Sequence, residues 1–266
     1  MINWTLFQRE LKAGWKLLVI FAAVLTMYVI CIISLYDPAT MAMLDGFTEA
    51  MPELMAAVGM KAGAANLLGF MISYLYGFIL LVFPMVFSIL RSSALVAKYV
   101  EQGSMAALIG APIKRYTIAF TQMCSLIVDL LFLVIYVTVL ELAASHWMFP
   151  GELSVASLLT VNTGLLFLQL FIGSVSFFAS CAASSVKSSA LFGAGIPVLM
   201  YIFQMIAGVG GEGEKMKYFT VFTLFDPSGL AAGEMVALCK TIVLLLGAIV
   251  LYVAAIVTFC KKDFHI

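Results

Sequence analysis

Leu17 to Tyr36 reads LLVIFAAVLTMYVICIISLY, twenty residues without a charge. A helix rises 1.5 Å per residue, so such a run crosses a hydrocarbon layer about 30 Å thick. Five more stretches have the same character: Leu67–Leu90, Thr117–Leu142, Val155–Cys181, Ala190–Val209 and Thr241–Cys260. Over the 266 residues, 64% are hydrophobic and 11% charged, with a mean hydropathy of +1.13. Soluble domains carry about twice that share of charge. The expected fold is all-α: a polytopic membrane protein with six transmembrane helices in one domain, 1–266. Fourteen basic and fourteen acidic residues leave no net field for phosphate, which argues against a nucleic-acid partner.

The basic residues divide unevenly between the two sides. Arg9, Lys12, Lys16, Arg91, Lys98, Lys114, Arg115, Lys187, Lys261 and Lys262 fall on one, and Lys61, Lys215, Lys217 and Lys240 on the other. Lys and Arg resist translocation, so the first side is predicted to be cytoplasmic, with both ends of the chain there. The first apolar run is too long for a signal peptide and further spans follow, so it is read as retained. Ahead of it, Trp4, Phe7, Leu11, Trp15 and Leu18 recur at helical spacing with Gln8, Arg9, Lys12 and Lys16 between them. This predicts an interfacial helix over 1–16 that meets membrane lipid headgroups and turns into the first span as an elbow.

Two outer loops are long. Asp37–Asn66 places Leu44, Phe47, Met51, Leu54, Met55 and Val58 at helical spacing with Asp45, Glu49 and Glu53, which predicts an amphipathic helix. Its methionines suit packing on the bundle or a surface for varied apolar ligands. Gly210–Lys240 opens with GVGGEGEKMK, and its Phe219–Phe225 run is too short to cross; Asp226–Gly229 reads as a turn.

Several chemistries lack their residues. No Gly-Lys dipeptide exists, so the chain has no phosphate-cradling loop and is not expected to hydrolyse ATP. His146 and His265 are the only histidines, and Cys31, Cys124, Cys181, Cys239 and Cys260 form no CxxC pair, which argues against a metal site or a disulfide framework. No inverted repeat is visible: the connector after span two has 26 residues and its counterpart after span four has eight.

That longer connector runs RSSALVAKYVEQGSMAALIGAPIKRY from Arg91 to Tyr116. Leu95, Tyr99, Met105, Leu108 and Ile109 are apolar where a solvated link would be polar, while Lys98, Glu101, Lys114 and Arg115 forbid another span. Such an amphipathic element suits docking on a cytoplasmic protein. Glu101, Gly103, Ser104, Leu108, Ile109, Pro112 and Arg115 resemble the pattern of the type-2 ABC exporter permease family, with Lys114 where a Ser is usual. The likeness extends to Phe7, Arg9 and Glu10 in the elbow, to the six-span count, and to Phe225 and Pro227 before span six.

The resemblance implies a permease subunit of an ATP-driven exporter in the plasma (inner) membrane of a bacterium. It would pair with a second permease subunit, and each would carry a cytoplasmic ABC ATPase subunit. ATP and Mg would be held on that partner and no cofactor in this chain. The connector would be the coupling helix, with Tyr99, Glu101, Gly103, Ser104, Leu108, Pro112 and Arg115 at or near the ATPase contact. A hydrophobic or amphipathic peptide, drug or lipid would be the cargo.

Inside the bilayer, Asp129 near the middle of span three costs at least about 2.5 kcal/mol on insertion scales, so it should face the bundle or water. It is a candidate for the substrate path or its gating, or for a buried hydrogen bond. Span four collects Asn162, Gln169, Gly173, Ser176, Ser180 and Ser184 on one face, a seam suited to close packing or to lining a path. Pro197 in span five predicts a kink, static or a hinge. Two other readings stand beside the exporter: a proton-coupled secondary transporter using Asp129, and a non-transporting membrane immunity or receptor protein.

Overall fold

A computed structural model describes residues 2–60, 66–110 and 112–262. Lys61 and His265 lie outside them, as do the side chains of Asp45, Phe47 and Ile109. Among the described residues twelve α-helices follow in order: α1 (Trp4–Ser34), α2 (Pro38–Ala50), α3 (Pro52–Ala57), α4 (Leu67–Met71), α5 (Ile79–Ser92), α6 (Lys98–Glu101), α7 (Ser104–Gly110), α8 (Arg115–Met148), α9 (Val155–Ala182), α10 (Val186–Val209), α11 (Pro227–Ala231) and α12 (Met235–Lys261). There is no strand among the described residues. Six helical segments are long and apolar enough to cross a membrane: α1, Ile79–Glu101, α8, α9, α10 and α12.

The predicted spans four to six lie within α9, α10 and α12, because their apolar runs are bounded by polar turns. Ser154 and Ser185 cap α9 and α10 by accepting the Ser157 and Ser188 N–H groups. The first three differ from expectation. The segment expected as an interfacial helix over 1–16 is continuous with span one from Trp4 on, α1 running unbroken for 31 residues, about 46 Å. Neither proline nor a left-handed glycine interrupts it, Asn3 caps its start, and Glu10 and Gly14 are buried against the bundle.

Span two shifts along the chain. Leu67–Tyr76 forms a short helix with a π-turn, the backbone breaks at Phe78, and the long helix begins at Ile79. A Cβ on Gly77 would stand 2.9 Å from the carbonyl oxygens of Ser73 and Val58, so this break is where the outer loop crosses span two. The helix then continues through a π-turn at Ser93–Ala97 to Glu101, taking eleven residues that the sequence assigns to the connector. Span three likewise extends to Met148.

The single amphipathic helix expected in the first outer loop is two, because Pro52 turns the chain out of helix at Met51. In the last loop, Phe222 and Phe225 fold inward and are buried, and Asp226 caps α11 where a turn is predicted. α9 is the centre of the bundle, packed on α5, α8, α10 and α12, while α1 lies against α8 and α5. α10 and α12 present Leu191, Leu199, Leu246 and Val250 outward, as a surface in lipid does.

Candidate functional site

Two buried carboxyl centres sit on α8, twelve residues and about 18 Å apart. At the first, Arg91 Nε donates to Asp129 Oδ2 at 2.6 Å and Nη2 donates to the Glu10 carbonyl at 2.7 Å. Tyr99 donates to Glu10 Oε1 at 2.7 Å, and the Arg9 guanidinium lies 5.7 Å from the Tyr99 ring. Arg91 and Asp129 are 2% and 3% exposed, so neither meets bulk water. Taking two charges out of water is costly and is offset where they pair at close range. The path for Arg91 is made by Gly14, whose added Cβ would stand 2.6 Å from the guanidinium carbon. Arg91, counted in the sequence as a cytoplasmic anchor, is thus an interior residue.

At the second centre, Glu141 Oε2 accepts from the Tyr76 hydroxyl at 3.0 Å and from Asn162 Nδ2 at 2.7 Å. Glu141 is fully buried and takes part in no ion pair among the described residues. Its Oε1, Asn162 Oδ1 and the Ser145 hydroxyl one turn further on have no partner among the described residues. Sequence reasoning missed this centre because Glu141 stands one residue from the expected end of span three. A second acid inside an apolar run was the available signal.

The polar seam of α9 has a specific role. Pro84 in α5 has no N–H, which frees the Leu80 carbonyl four residues earlier. Gln169 Nε2 donates to the Leu80 and Leu81 carbonyls, each at 3.1 Å. Pro197 in α10 likewise frees the Gly193 carbonyl, and Ser176 donates to it at 2.7 Å. Gln169 and Ser176 are seven residues apart, two turns on one face of α9, and each answers a proline in a neighbouring helix. Ser180 and Ser189 share a hydrogen bond of 2.7 Å in the same seam. Asp129, Asn162, Gln169 and Ser176 are therefore held by partners within the bundle, at three separate places.

The connector residues gather at the end of the bundle that holds both chain ends. Gly103 has φ +70°, a left-handed turn that glycine adopts without strain, and separates α6 from α7. Ser104 donates to the Tyr99 carbonyl at 3.3 Å, and Leu108 packs partly against the core. Pro112 and Lys114 are exposed. Glu101 Oε2 accepts the Val186 N–H at 2.6 Å, a carboxylate on the first turn of α10. Arg115 donates to the Lys262 carbonyl at 3.0 Å, while Lys262 Nζ donates to the carbonyls of Cys181, Ala182 and Ala183 at the end of α9. Partial burial there lowers the Lys262 pKa.

A continuous chain of contacts therefore leads from the connector inward: Tyr99 to Glu10, Glu10 to Arg91, Arg91 to Asp129. Compared with protein-family models, curated proteins and solved structures, the chain matches none. The fold is all-helical among the described residues, and its six long apolar helices point to a multi-pass membrane protein.

Proposed function

We propose that the chain is the permease subunit of an ATP-driven exporter, paired with a second permease subunit and driven by cytoplasmic ABC ATPase subunits. The reading rests on the resemblance in the connector, and one observation carries it further: Tyr99, Glu10, Arg91 and Asp129 form a single bonded path from the connector into spans one, two and three. A push on α7 by a partner would reach Tyr99 through Ser104, which donates to its carbonyl, and pass from there to Glu10 and the bundle interior. Coupling requires such a path, together with different contacts in two states. Cation counts on the flanks, with Arg91 removed, still favour a cytoplasmic connector, and the resemblance adds a bacterial plasma membrane.

The proton-coupled alternative is weakened by the same geometry, because Asp129 is engaged by Arg91 at 2.6 Å and lacks the freedom of a carrier. The test is to extract the protein from its native membrane in mild detergent, identify what copurifies, and assay ATP hydrolysis. An ATPase subunit in about equal amount is expected, lost in Glu101→Arg and kept in Glu101→Gln, which still accepts the Val186 N–H. No ATPase with the wild type defeats the exporter reading, and ATPase recovery unchanged in Glu101→Arg defeats the assignment of the connector as the coupling helix.

A further inference from the structure

At the end of the bundle opposite the two chain ends, a cavity of about 660 Å³ opens between α3, the Asn66–Gly77 segment, α10 and the Phe222–Ser228 segment. That volume lies in the range of small-molecule sites. Glycines leave the space clear: Gly59, Gly69, Gly77 and Gly208 all line it. A Cβ on Gly208 would also meet the Ala56 carbonyl oxygen at 2.4 Å, so α3 and α10 are held in close register beside it. One wall is apolar, with Ile72, Leu81, Phe222 and Phe225.

The charge on the polar wall is one-sided, with Asp226 and no basic residue among the described lining residues. Tyr76 donates its hydroxyl to Glu141 and Thr223 donates to the Lys217 and Thr220 carbonyls, while the hydroxyls of Ser73, Tyr201 and Ser228 also line the space. Two acceptors stand out. Gln204 Oε1 is buried without a partner among the described residues, and Asp226 uses Oδ1 to cap Gly229. Behind Tyr76 stands the Glu141 carboxyl, which no Lys, Arg or His pairs among the described residues. The described lining holds no basic residue either. A buried acceptor left unmatched is costly, and a carboxylate in a recess attracts positive charge.

We propose that this cavity binds an organic ammonium ion with an aliphatic body, its N–H groups donated to Asp226 and Gln204 and its chain laid against Phe222 and Phe225. The site stands independently of the exporter reading, since a chain that binds without transporting carries it equally. The test uses the full-length protein in phosphatidylcholine nanodiscs and titrates hexylammonium, hexanol and hexanoate by calorimetry, with empty nanodiscs subtracted. Saturable one-site binding is expected for hexylammonium, weaker binding for hexanol, and none for hexanoate. Asp226→Asn keeps an N-cap side chain and Gln204→Leu keeps the volume, so both should fold, and each is expected to weaken hexylammonium about tenfold. Binding no greater than that of empty nanodiscs, hexanoate bound as well as hexylammonium, or both variants binding like the wild type would overturn the proposal. Loss of the ATPase partner with this binding retained would defeat the exporter reading alone.

Discussion

The guanidinium of Arg91 is the residue on which three helices depend. It neutralises Asp129 of α8, bonds the α1 backbone at Glu10, and passes through the gap that Gly14 leaves. Removing one partner of a buried pair leaves an uncompensated charge, at a cost of about 3 to 5 kcal/mol. Arg91→Met should therefore lower unfolding stability in detergent by that order, and Arg91→Met with Asp129→Leu should recover most of it. A double variant no more stable than Arg91→Met contradicts the pairing. Gly14→Leu should behave like the Arg91 variant, because its side chain fills the guanidinium's place. Wild-type thermal stability in Gly14→Leu would show that α1 does not confine Arg91. Asp129 stood out in the sequence as a charge within an apolar run, but nothing local marked its partner as one of the residues counted as a headgroup anchor.

At the level of elements, α9 mends the helices around it. Two prolines break the backbone ladders of α5 and α10, and Gln169 and Ser176 supply the missing donors. The net value of such a bond is about 1 kcal/mol, and leaving a buried carbonyl unmatched costs about 1 to 3 kcal/mol. Gln169→Leu should therefore destabilise the wild type by more than it destabilises Pro84→Ala, in which residue 84 again donates to the Leu80 carbonyl. Equal costs in the two backgrounds, measured by a double-mutant cycle, would falsify the assignment. The seam was legible as small and polar, which left close packing and a substrate path both open. Choosing between them needed the position of the two prolines relative to α9, and no local pattern contains it. The same holds for span two, whose apolar run gave no reason to break at Phe78 until the outer loop was seen to cross Gly77.

For the whole molecule, the connectors divide into two sets, with the chain ends, Glu101 and Val186 at one end of the bundle and the 660 Å³ cavity at the other. In a cysteine-free background, a cysteine at Ser185 should react with an impermeant maleimide only after the cytoplasmic side is opened, and one at Gly213 should react on intact cells. The opposite pattern reverses the orientation and moves the ammonium site to the cytoplasmic face.

The amino-acid sequence by itself determined that the chain is a helical bundle of six membrane-length segments, because that depends on the length and hydropathy of contiguous runs against a fixed hydrocarbon thickness. It also marked Asp129 and the α9 seam as unusual, since a polar group in an apolar run stands out locally. Only the tertiary structure decided what those groups do. Arg91 meets Asp129 across 38 residues, Tyr76 meets Glu141 across 65, and Arg91 meets Glu10 across 81. Such pairings are set by which helix faces pack together, and burial makes each of them obligatory, because a charge or carbonyl within the bundle has no water to turn to.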